Sequence, residues 1–196
     1  MKVIHGIIFI NLIVFLLWSL APMLVTQEFM IQNFLVSWDA ITEGRFWVLL
    51  TSVFSHLQFF HFLINMLVLR SFGPVILYSF GKRVFISFYL LAGVFSSFSH
   101  AALSTLLMHD PSLPALGASG AIAGLILLFS LLFPNEKILF FGIIPVRAIW
   151  GAVLFIGLDV WGLIAQSKGG GLPIGHGAHL GGAVIGIIFF LTLRRR

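Results

Sequence analysis

Residues 117–124 read GASGAIAG and open an apolar run that continues to Phe133. Ser119 is the one hydroxyl in this stretch, and its neighbours have almost no side chain. A serine nucleophile needs this setting, because open space beside its oxygen and free backbone N–H groups let a carbonyl approach. The stretch also has a structural interpretation, since the four-residue spacing of Gly120 and Gly124 lets two membrane helices pack closely. Other parts of the sequence are needed to distinguish the nucleophile from the helix-packing interpretation.

The composition of the chain is that of an integral membrane protein. Of its 196 residues 60% are hydrophobic and only 9% are charged, and the mean hydropathy is +1.12. A water-soluble domain cannot bury that much apolar surface. The absence of cysteine excludes disulfides, a thiol nucleophile and a cysteine-bound zinc. The net charge of +5 does not indicate nucleic-acid binding, because the basic residues lie at the ends of apolar runs, where they set membrane orientation.

Six apolar runs predict an all-α membrane protein with six spanning helices in one compact bundle. Each run has roughly the 20 residues needed to cross about 30 Å of hydrocarbon. We interpret the first run as a span and not as a cleaved signal peptide, because Pro22 makes a poor cleavage context. We expect a single domain over residues 1–196, without a separate soluble domain. The predicted spans are residues 4–23, 60–80, 85–107, 115–133, 144–166 and 176–193.

The segment between the first two predicted spans, residues 24–58, has a different character. Its charged side chains alternate with aromatic ones, among them Trp38 and Trp47. Such a segment is too polar to span the membrane and too apolar to lie free in water. We therefore predict short amphipathic helices at the membrane interface, with the tryptophans at headgroup depth.

The distribution of lysine and arginine predicts the orientation in the membrane. In a six-span arrangement most basic residues fall on one side, which the positive-inside rule places in the cytoplasm together with both termini. Arg45 and Lys168 fall on the other side. Arg70 lies within the second predicted span, where it either extends to the membrane surface or pairs with Asp159 of the fifth. We expect a multi-pass protein of a bacterial inner membrane, with its functional site toward the outer face.

Four polar residues within the predicted spans are candidate functional groups, because such side chains are costly in hydrocarbon. The second, fourth and sixth spans all enter from the same side of the membrane, and the four residues lie in the first turns of these spans. They therefore share a similar depth. Two of them are four residues apart on one helix face, and their N–H donors could stabilise an oxyanion. The four are His61, Asn65, Ser119 and His179.

The last predicted helix has a stripe of small residues beside its histidine. His179, Gly182 and Gly186 recur at i, i+3 and i+7, so they share one face. Two helices with small faces can approach closely, close enough for the His179 imidazole to meet the Ser119 hydroxyl. A serine beside a histidine base is an activated nucleophile.

Other interpretations of these residues remain open at this point. A lone intramembrane histidine or asparagine can simply hydrogen-bond a neighbouring helix. Residues 117–121 do not form the Gly-x-Ser-x-Gly elbow of α/β hydrolases, because position 121 is alanine. Asp159 is disfavoured as a third catalytic residue, because it lies about midway along the fifth predicted span. We expect no metal and no cofactor, since the remaining histidines lack a His-Glu-x-x-His pattern; those considered are His56, His100, His109 and His176.

The three motifs together resemble those of the rhomboid intramembrane serine proteases. The matching pieces are GASG at residues 117–120, HFLIN at residues 61–65, and AHLGG at residues 178–182 followed by Gly186. The six-helix layout and the amphipathic first loop match as well, so the resemblance covers nearly the whole chain. The chain differs from the family in the first loop. The family often has a Trp-Arg pair there, whereas in this chain Trp47 is followed by Val48.

The resemblance implies an intramembrane serine endopeptidase that needs no cofactor. Ser119 would be the nucleophile and His179 the general base of a dyad without a carboxylate. His61, Asn65 and the backbone N–H of Ser119 would bind the oxyanion. The expected partners are the lipid bilayer and, as substrates, single-pass or other transmembrane proteins. Close helix packing near the site is expected from Gly117, Gly120, Gly124, Gly182 and Gly186.

Two other functions remain possible alternatives to the protease. The first is a catalytically silent relative that binds and escorts membrane helices; such relatives typically lose the serine or the histidine, and both are present here. The second is a small transporter or channel that uses His61, His179 and Asp159 as a proton relay. A relay would need polar residues through the full membrane depth, whereas the candidates found here cluster toward the outer side.

Overall fold

The structure, a computed structural model, describes residues 1–140 and 143–194 of the chain. Helices dominate this part, as the prediction of an all-α membrane bundle requires. The polar first loop folds into short helices and a 3₁₀ turn, as predicted, and the position of these helices at the membrane interface stays a prediction. The elements in order are α1 (Lys2–Leu24), α2 (Gln27–Phe34), α3 (Trp38–Thr42), α4 (Val48–Thr51), the 3₁₀ turn (Ser52–Phe54), α5 (Phe59–Met108), α6 (Ser119–Leu132), β1 (Lys137–Phe140), β2 (Ile144–Arg147), α7 (Ala148–Ser167) and α8 (His176–Leu193).

Four of the described helices, α1, α5, α7 and α8, are long and apolar enough to cross a membrane. Helix α5 alone has 50 residues, which at 1.5 Å per residue is about 75 Å, far more than the hydrocarbon core. Its backbone leaves the helical conformation at Gly81, with φ 82° and ψ 168°. This break lies at the predicted connection between the second and third spans. The protein is a multi-pass membrane protein, and the count of six spans stays a prediction.

The helix that carries the serine begins later than predicted. Helix α6 starts at Ser119 and not at residue 115, because Gly117 has a φ of +121°, which a right-handed helix excludes. Ala115 instead exchanges backbone hydrogen bonds of 2.8 and 2.9 Å with Val36 in the first loop. With 14 residues, α6 extends only about 21 Å. This is shorter than the roughly 30 Å of hydrocarbon that a spanning helix crosses, and irregular backbone precedes Ser119.

The fifth predicted span is also wrong at its start. Residues 144–147 form strand β2, antiparallel to β1, and α7 begins only at Ala148. Pro145 lacks a backbone N–H donor, which disfavours a helix interior and is tolerated in a short two-stranded hairpin. The two strands pair Lys137 with Arg147, so these two basic residues lie side by side.

The backbones of α6 and α8 touch through glycines. A Cβ atom added at Gly182 would lie 1.8 Å from the carbonyl oxygen of Gly120, and one added at Gly186 would lie 2.6 Å from that of Gly124. No side chain larger than hydrogen fits at this contact. Gly117 is different from these four, because it lies in the loop before α6 and takes no part in the helix contact. The α6–α8 contact fixes the relative position of the serine and the histidine.

Candidate active site

Ser119 and His179 lie in the first turns of α6 and α8 and face each other. Nε2 of His179 is 3.0 Å from Oγ of Ser119, which is a hydrogen-bond distance. The ring of Phe155 stacks on the imidazole of His179, with ring centroids 5.5 Å apart and an interplanar angle of 28°. The histidine is therefore held in one orientation, with Nε2 toward the serine.

A cavity of about 1070 Å³ lies beside the serine. His61, Asn65, Ser119 and His179 all line it, so the structure gathers the four predicted site residues around one space. The irregular segments before α6 and α8 also contribute to its wall. Non-helical backbone is tolerated at membrane depth where it lines such a cavity. The arrangement offers an approach to the serine for water and for an extended peptide.

The backbone donors near the serine begin at Ser119 itself. The N–H groups in the first turn of a helix have no carbonyl partner within that helix. The two N–H groups just before them are already used: that of Gly117 donates to the carbonyl of Ser52 at 2.8 Å, and that of Ala118 donates to Nε2 of His56 at 3.4 Å. The start of α6 thus presents backbone N–H groups beside Oγ of Ser119, the arrangement that an oxyanion site requires.

His56 supports the loop before the serine, a role that the sequence did not reveal. It lies between the 3₁₀ turn and α5 and is fully buried. Burial and, to a smaller extent, the neighbouring His61 lower the pKa of His56 to about 3. The imidazole is therefore neutral, and its Nε2 accepts the N–H of Ala118. Its ring also packs edge-on against that of His61, with centroids 5.0 Å apart.

His61 and Asn65 come from the first turns of α5. Nδ2 of Asn65 donates to the carbonyl of His61 at 2.8 Å, which leaves the second N–H of that amide. The ring of His61 lies against the loop before the serine, where a Cβ at Gly117 would be 2.7 Å from its Cε1. Glycine at this position thus serves both the positive φ and the close approach of the imidazole.

Asp159 lies behind His179, at the ring nitrogen that does not face Ser119. Its Oδ1 is 2.9 Å from Nδ1 of His179 and 2.7 Å from Nδ1 of His176, and the residue is only 3% exposed. A carboxylate thus contacts the histidine of the expected dyad, which the sequence disfavoured. Of the two alternatives left open for Arg70, pairing with Asp159 is not found among the described residues. Nη1 of Arg70 is instead 3.5 Å from Nε2 of His5.

The sequence contains a pattern that is consistent with this contact. Phe155, Asp159 and Gly162 recur at i, i+4 and i+7, which places them on one face of α7. His176 and His179 are three residues apart on α8 and share a face in the same way. The sequence does not fix how far α8 is shifted along α7. The depth of the carboxylate relative to the two histidines therefore had to come from the structure.

Asp159, His176 and His179 also make up a cluster of metal-binding side chains, with ligand atoms within 4.8 Å of one another. Two imidazole nitrogens and a carboxylate oxygen suit zinc. However, separations of 2.7 and 2.9 Å are those of hydrogen bonds. A carboxylate between two imidazole N–H donors accounts for the arrangement without an ion. The absence of a metal stays a prediction.

Comparison with known proteins gives one family for the chain. The family model described as Rhomboid domain matches residues 43–196. Similar proteins include RHOMBOID-like protein 12, mitochondrial, of Arabidopsis thaliana, which is 34% identical over 98% of this chain and 59% of its own length. Rhomboid protein 1, mitochondrial, of Saccharomyces cerevisiae is 34% identical over 96% of this chain and 52% of its own. Presenilin-associated rhomboid-like protein, mitochondrial, of Mus musculus is 33% identical over 95% and 47%. The chain thus spans about half the length of these relatives.

Proposed function

Because this chain belongs to the rhomboid family, we propose that it is an intramembrane serine endopeptidase that cleaves transmembrane proteins. The observation that supports this most is the 3.0 Å contact between Oγ of Ser119 and Nε2 of His179. A serine hydroxyl becomes a good nucleophile only beside a base that takes its proton. This pair lies beside a large cavity, on helices that belong to a membrane bundle.

The proposed reaction follows from the geometry of the site. Oγ of Ser119 attacks the carbonyl carbon of the scissile peptide bond, and its proton passes to Nε2 of His179. The carbonyl oxygen becomes an oxyanion, which accepts hydrogen bonds from His61, Asn65 and the backbone N–H of Ser119. The C–N bond then breaks, and His179 gives its proton to the leaving nitrogen. Water, deprotonated by His179, attacks the acyl ester. The ester C–O bond then breaks, and His179 returns the proton to Oγ of Ser119.

The proposed substrates are single-pass or other transmembrane proteins. A peptide bond inside an α-helix is shielded, so the substrate has to present an extended segment to Ser119. A membrane helix with glycine, proline or other weak helix formers near its end unwinds at low cost. The cavity is lined in part by residues 170–175, which precede α8, and this irregular segment would face such an unwound strand.

The proposed topology keeps both termini on the side rich in lysine and arginine, with the site toward the opposite face. The expected bacterial inner membrane receives no support from the relatives, because the names of these three place them in mitochondria. We therefore propose the sidedness of the termini and of the site, and we propose no particular cellular membrane.

Covalent labelling by a fluorophosphonate tests the proposed function. The probe reacts with an activated serine, so the native protein is expected to be labelled and the Ser119→Ala variant is not. Ser130→Ala is the matched control, because Ser130 lies on the same helix and is fully buried. Equal labelling of the native protein and Ser119→Ala would contradict the proposal. Absence of label on the native protein would favour a catalytically silent relative.

Replacing Asn65 by alanine separates a catalytic role from a structural one. If Asn65 donates to the oxyanion, its hydrogen bond matters most in the transition state. Removing one such donor in soluble serine proteases costs roughly 10²–10³ in rate. We therefore expect kcat to fall about 10- to 1,000-fold while the apparent KM stays unchanged, because uniform substrate binding is untouched. The measurement is the steady-state cleavage of a transmembrane substrate in detergent.

Asn11 offers a matched control for this experiment. It is buried on α1, and its Nδ2 donates to the carbonyl of Ile7 at 2.8 Å, the same contact that Asn65 makes with His61. Asn11 does not line the cavity. Each substitution removes a hydrogen bond worth about 0.6 kcal/mol of stability in a membrane. If both variants lose stability alike and both keep native kcat, Asn65 only stabilises its helix.

A further inference from the structure

We propose that Asp159 and His176 position the general base His179, so that the site works with a carboxylate and two histidines behind the serine instead of a plain dyad. This inference rests on the proposed peptidase function. Asp159 contacts no reacting atom and acts through His179. The proposal is carried by the two hydrogen bonds that meet at Oδ1 of Asp159, at 2.7 and 2.9 Å.

The donors and acceptors at Asp159 determine the tautomer of the base. An ionised carboxylate only accepts hydrogen bonds, so Nδ1 of His179 and Nδ1 of His176 both donate to Oδ1. A neutral imidazole carries one N–H, and with its proton on Nδ1 the Nε2 of His179 is an acceptor. That nitrogen is the one 3.0 Å from Oγ of Ser119. Among the described residues no other side chain hydrogen-bonds Nδ1 of His179, so Asp159 alone selects the tautomer that a general base needs.

Asp159 also suits the charge that develops during the reaction. When His179 takes the serine proton, it becomes an imidazolium with the carboxylate 2.9 Å away. The residue pair is buried, and a buried charge interaction is stronger than an exposed one. The soluble serine proteases use an aspartate for the same two purposes, orientation of the base and stabilisation of its charged form.

His176 holds the carboxylate in place. Oδ2 of Asp159 is buried and has no hydrogen-bond partner among the described residues, so the carboxylate depends on the two bonds to Oδ1. One of these comes from His176. The ring of His176 fits against α7 only because position 162 is glycine, where a Cβ would lie 2.2 Å from its Nε2. The face of α7 formed by Phe155, Asp159 and Gly162 is thus shaped to receive the two imidazoles of α8.

Asp159→Asn tests the positioning role without changing the shape of the side chain. The amide no longer fixes the proton on Nδ1 of His179, and its NH₂ group favours the wrong tautomer. The equivalent change in a soluble triad costs about 10⁴ in kcat. Taking that loss as a ceiling, we expect kcat to fall about 100- to 1,000-fold here with KM unchanged, because the groups that contact the substrate stay in place. Asp39→Asn is the matched control, since Asp39 lies on α3, outside the cavity.

His176 is tested by a loss variant and a rescue variant. His176→Leu removes the second donor to Asp159, whereas the amide N–H of His176→Asn occupies the place of Nδ1–H. We expect kcat to fall roughly tenfold in the leucine variant, since the carboxylate keeps one of its two donors, and to return to near the native value in the asparagine variant. Equal losses in both variants would show that only the size and packing of the imidazole matter.

The protonation state of the histidines gives a readout that a merely structural role would not move. ¹⁵N NMR of the full chain labelled at histidine, with His179 identified by comparison with His179→Ala, reports which nitrogen carries the proton. We expect protonated Nδ1 and unprotonated Nε2 on His179 of the native protein. In Asp159→Asn the proton should move wholly or partly to Nε2. A native His179 with its proton on Nε2 would overturn the proposal.

These outcomes distinguish this inference from the proposed function. Native activity in Ser119→Ala would overturn the peptidase proposal and the positioning role with it. An inactive Ser119→Ala beside an Asp159→Asn variant of native kcat would overturn the positioning role and leave the peptidase standing. If Asp159→Asn does not fold, the tautomer of His179 in the native protein decides alone.

Discussion

Alanine at either Ser119 or His179 is expected to lower the cleavage of a transmembrane substrate by at least about a thousandfold. In the proposed mechanism the serine supplies the nucleophile and the histidine removes its proton, so the two act as one unit and either loss removes nearly the whole benefit. In a soluble serine protease, loss of the serine or the histidine alone costs about 2 × 10⁶ in kcat, roughly as much as loss of the complete triad. The measurement is kcat in detergent micelles and again in liposomes.

Two control variants show that the effect is specific to the site. Ser130→Ala removes a buried hydroxyl from the same helix, and His5→Ala removes an imidazole from α1. Both should cleave at the native rate, and thermal unfolding should confirm that all four variants are folded. Cleavage within tenfold of native by a folded Ser119→Ala or His179→Ala variant would contradict the assignment of the nucleophile or the base.

The arrangement of polar groups also bears on the transporter alternative. A proton relay across the membrane would need His61, His179 and Asp159 spaced along a path. In the structure Asp159 contacts Nδ1 of His179, whose Nε2 contacts Ser119 at the cavity. The contacts thus run from Asp159 through His179 to Ser119 and end at the cavity. This order favours hydrolysis over transport.

Much of the site could be predicted from the sequence because it depends on helix period and on the direction of each span. His61 and Asn65 are four residues apart, which places them on one face whatever the tertiary structure. Ser119 and His179 lie in the first turns of helices that are predicted to enter the membrane from the same side. The two residues are therefore predicted to lie at a similar depth. The glycine stripe of α8 then indicated which face meets α6. None of these predictions depends on a measured distance between residues.

The parts that the sequence did not predict depend on backbone conformation and on the shift between helices. Hydropathy does not distinguish a helix from an apolar hairpin, so it predicts a span over residues 144–147 where the structure has a strand. The start of α6 depends on the positive φ of Gly117, which sequence pattern does not reveal. The contact of Asp159 with the histidines depends on how far α8 slides along α7. Each failure concerns a tertiary quantity that hydrophobic periodicity does not contain.

Replacing Gly182 by valine is expected to damage both folding and activity. A Cβ at this position would lie 1.8 Å from the carbonyl oxygen of Gly120, whereas real Cβ atoms essentially never come within 3.0 Å. The helices α6 and α8 would have to separate by at least about 1.2 Å, and the two methyl groups of valine would increase this distance. Overpacking of a tight contact costs about 1–3 kcal/mol and occasionally more. We expect the upper end of that range, because the contact is backbone against backbone.

The same separation would act on the catalytic pair, because Ser119 and His179 lie one residue before Gly120 and three residues before Gly182. A displacement of about 1 Å at a catalytic group can cost roughly a hundredfold in rate, so kcat should fall by about that factor or more wherever the variant still folds. Gly157→Val is the matched control, since it makes the same change on α7 where nothing lies within 4 Å of the added Cβ. Thermal unfolding in detergent and kcat should both remain native in that control. A Gly182→Val variant with native stability and rate would show that α6 and α8 do not need their glycine contact, and that the position of His179 is set by α7 instead.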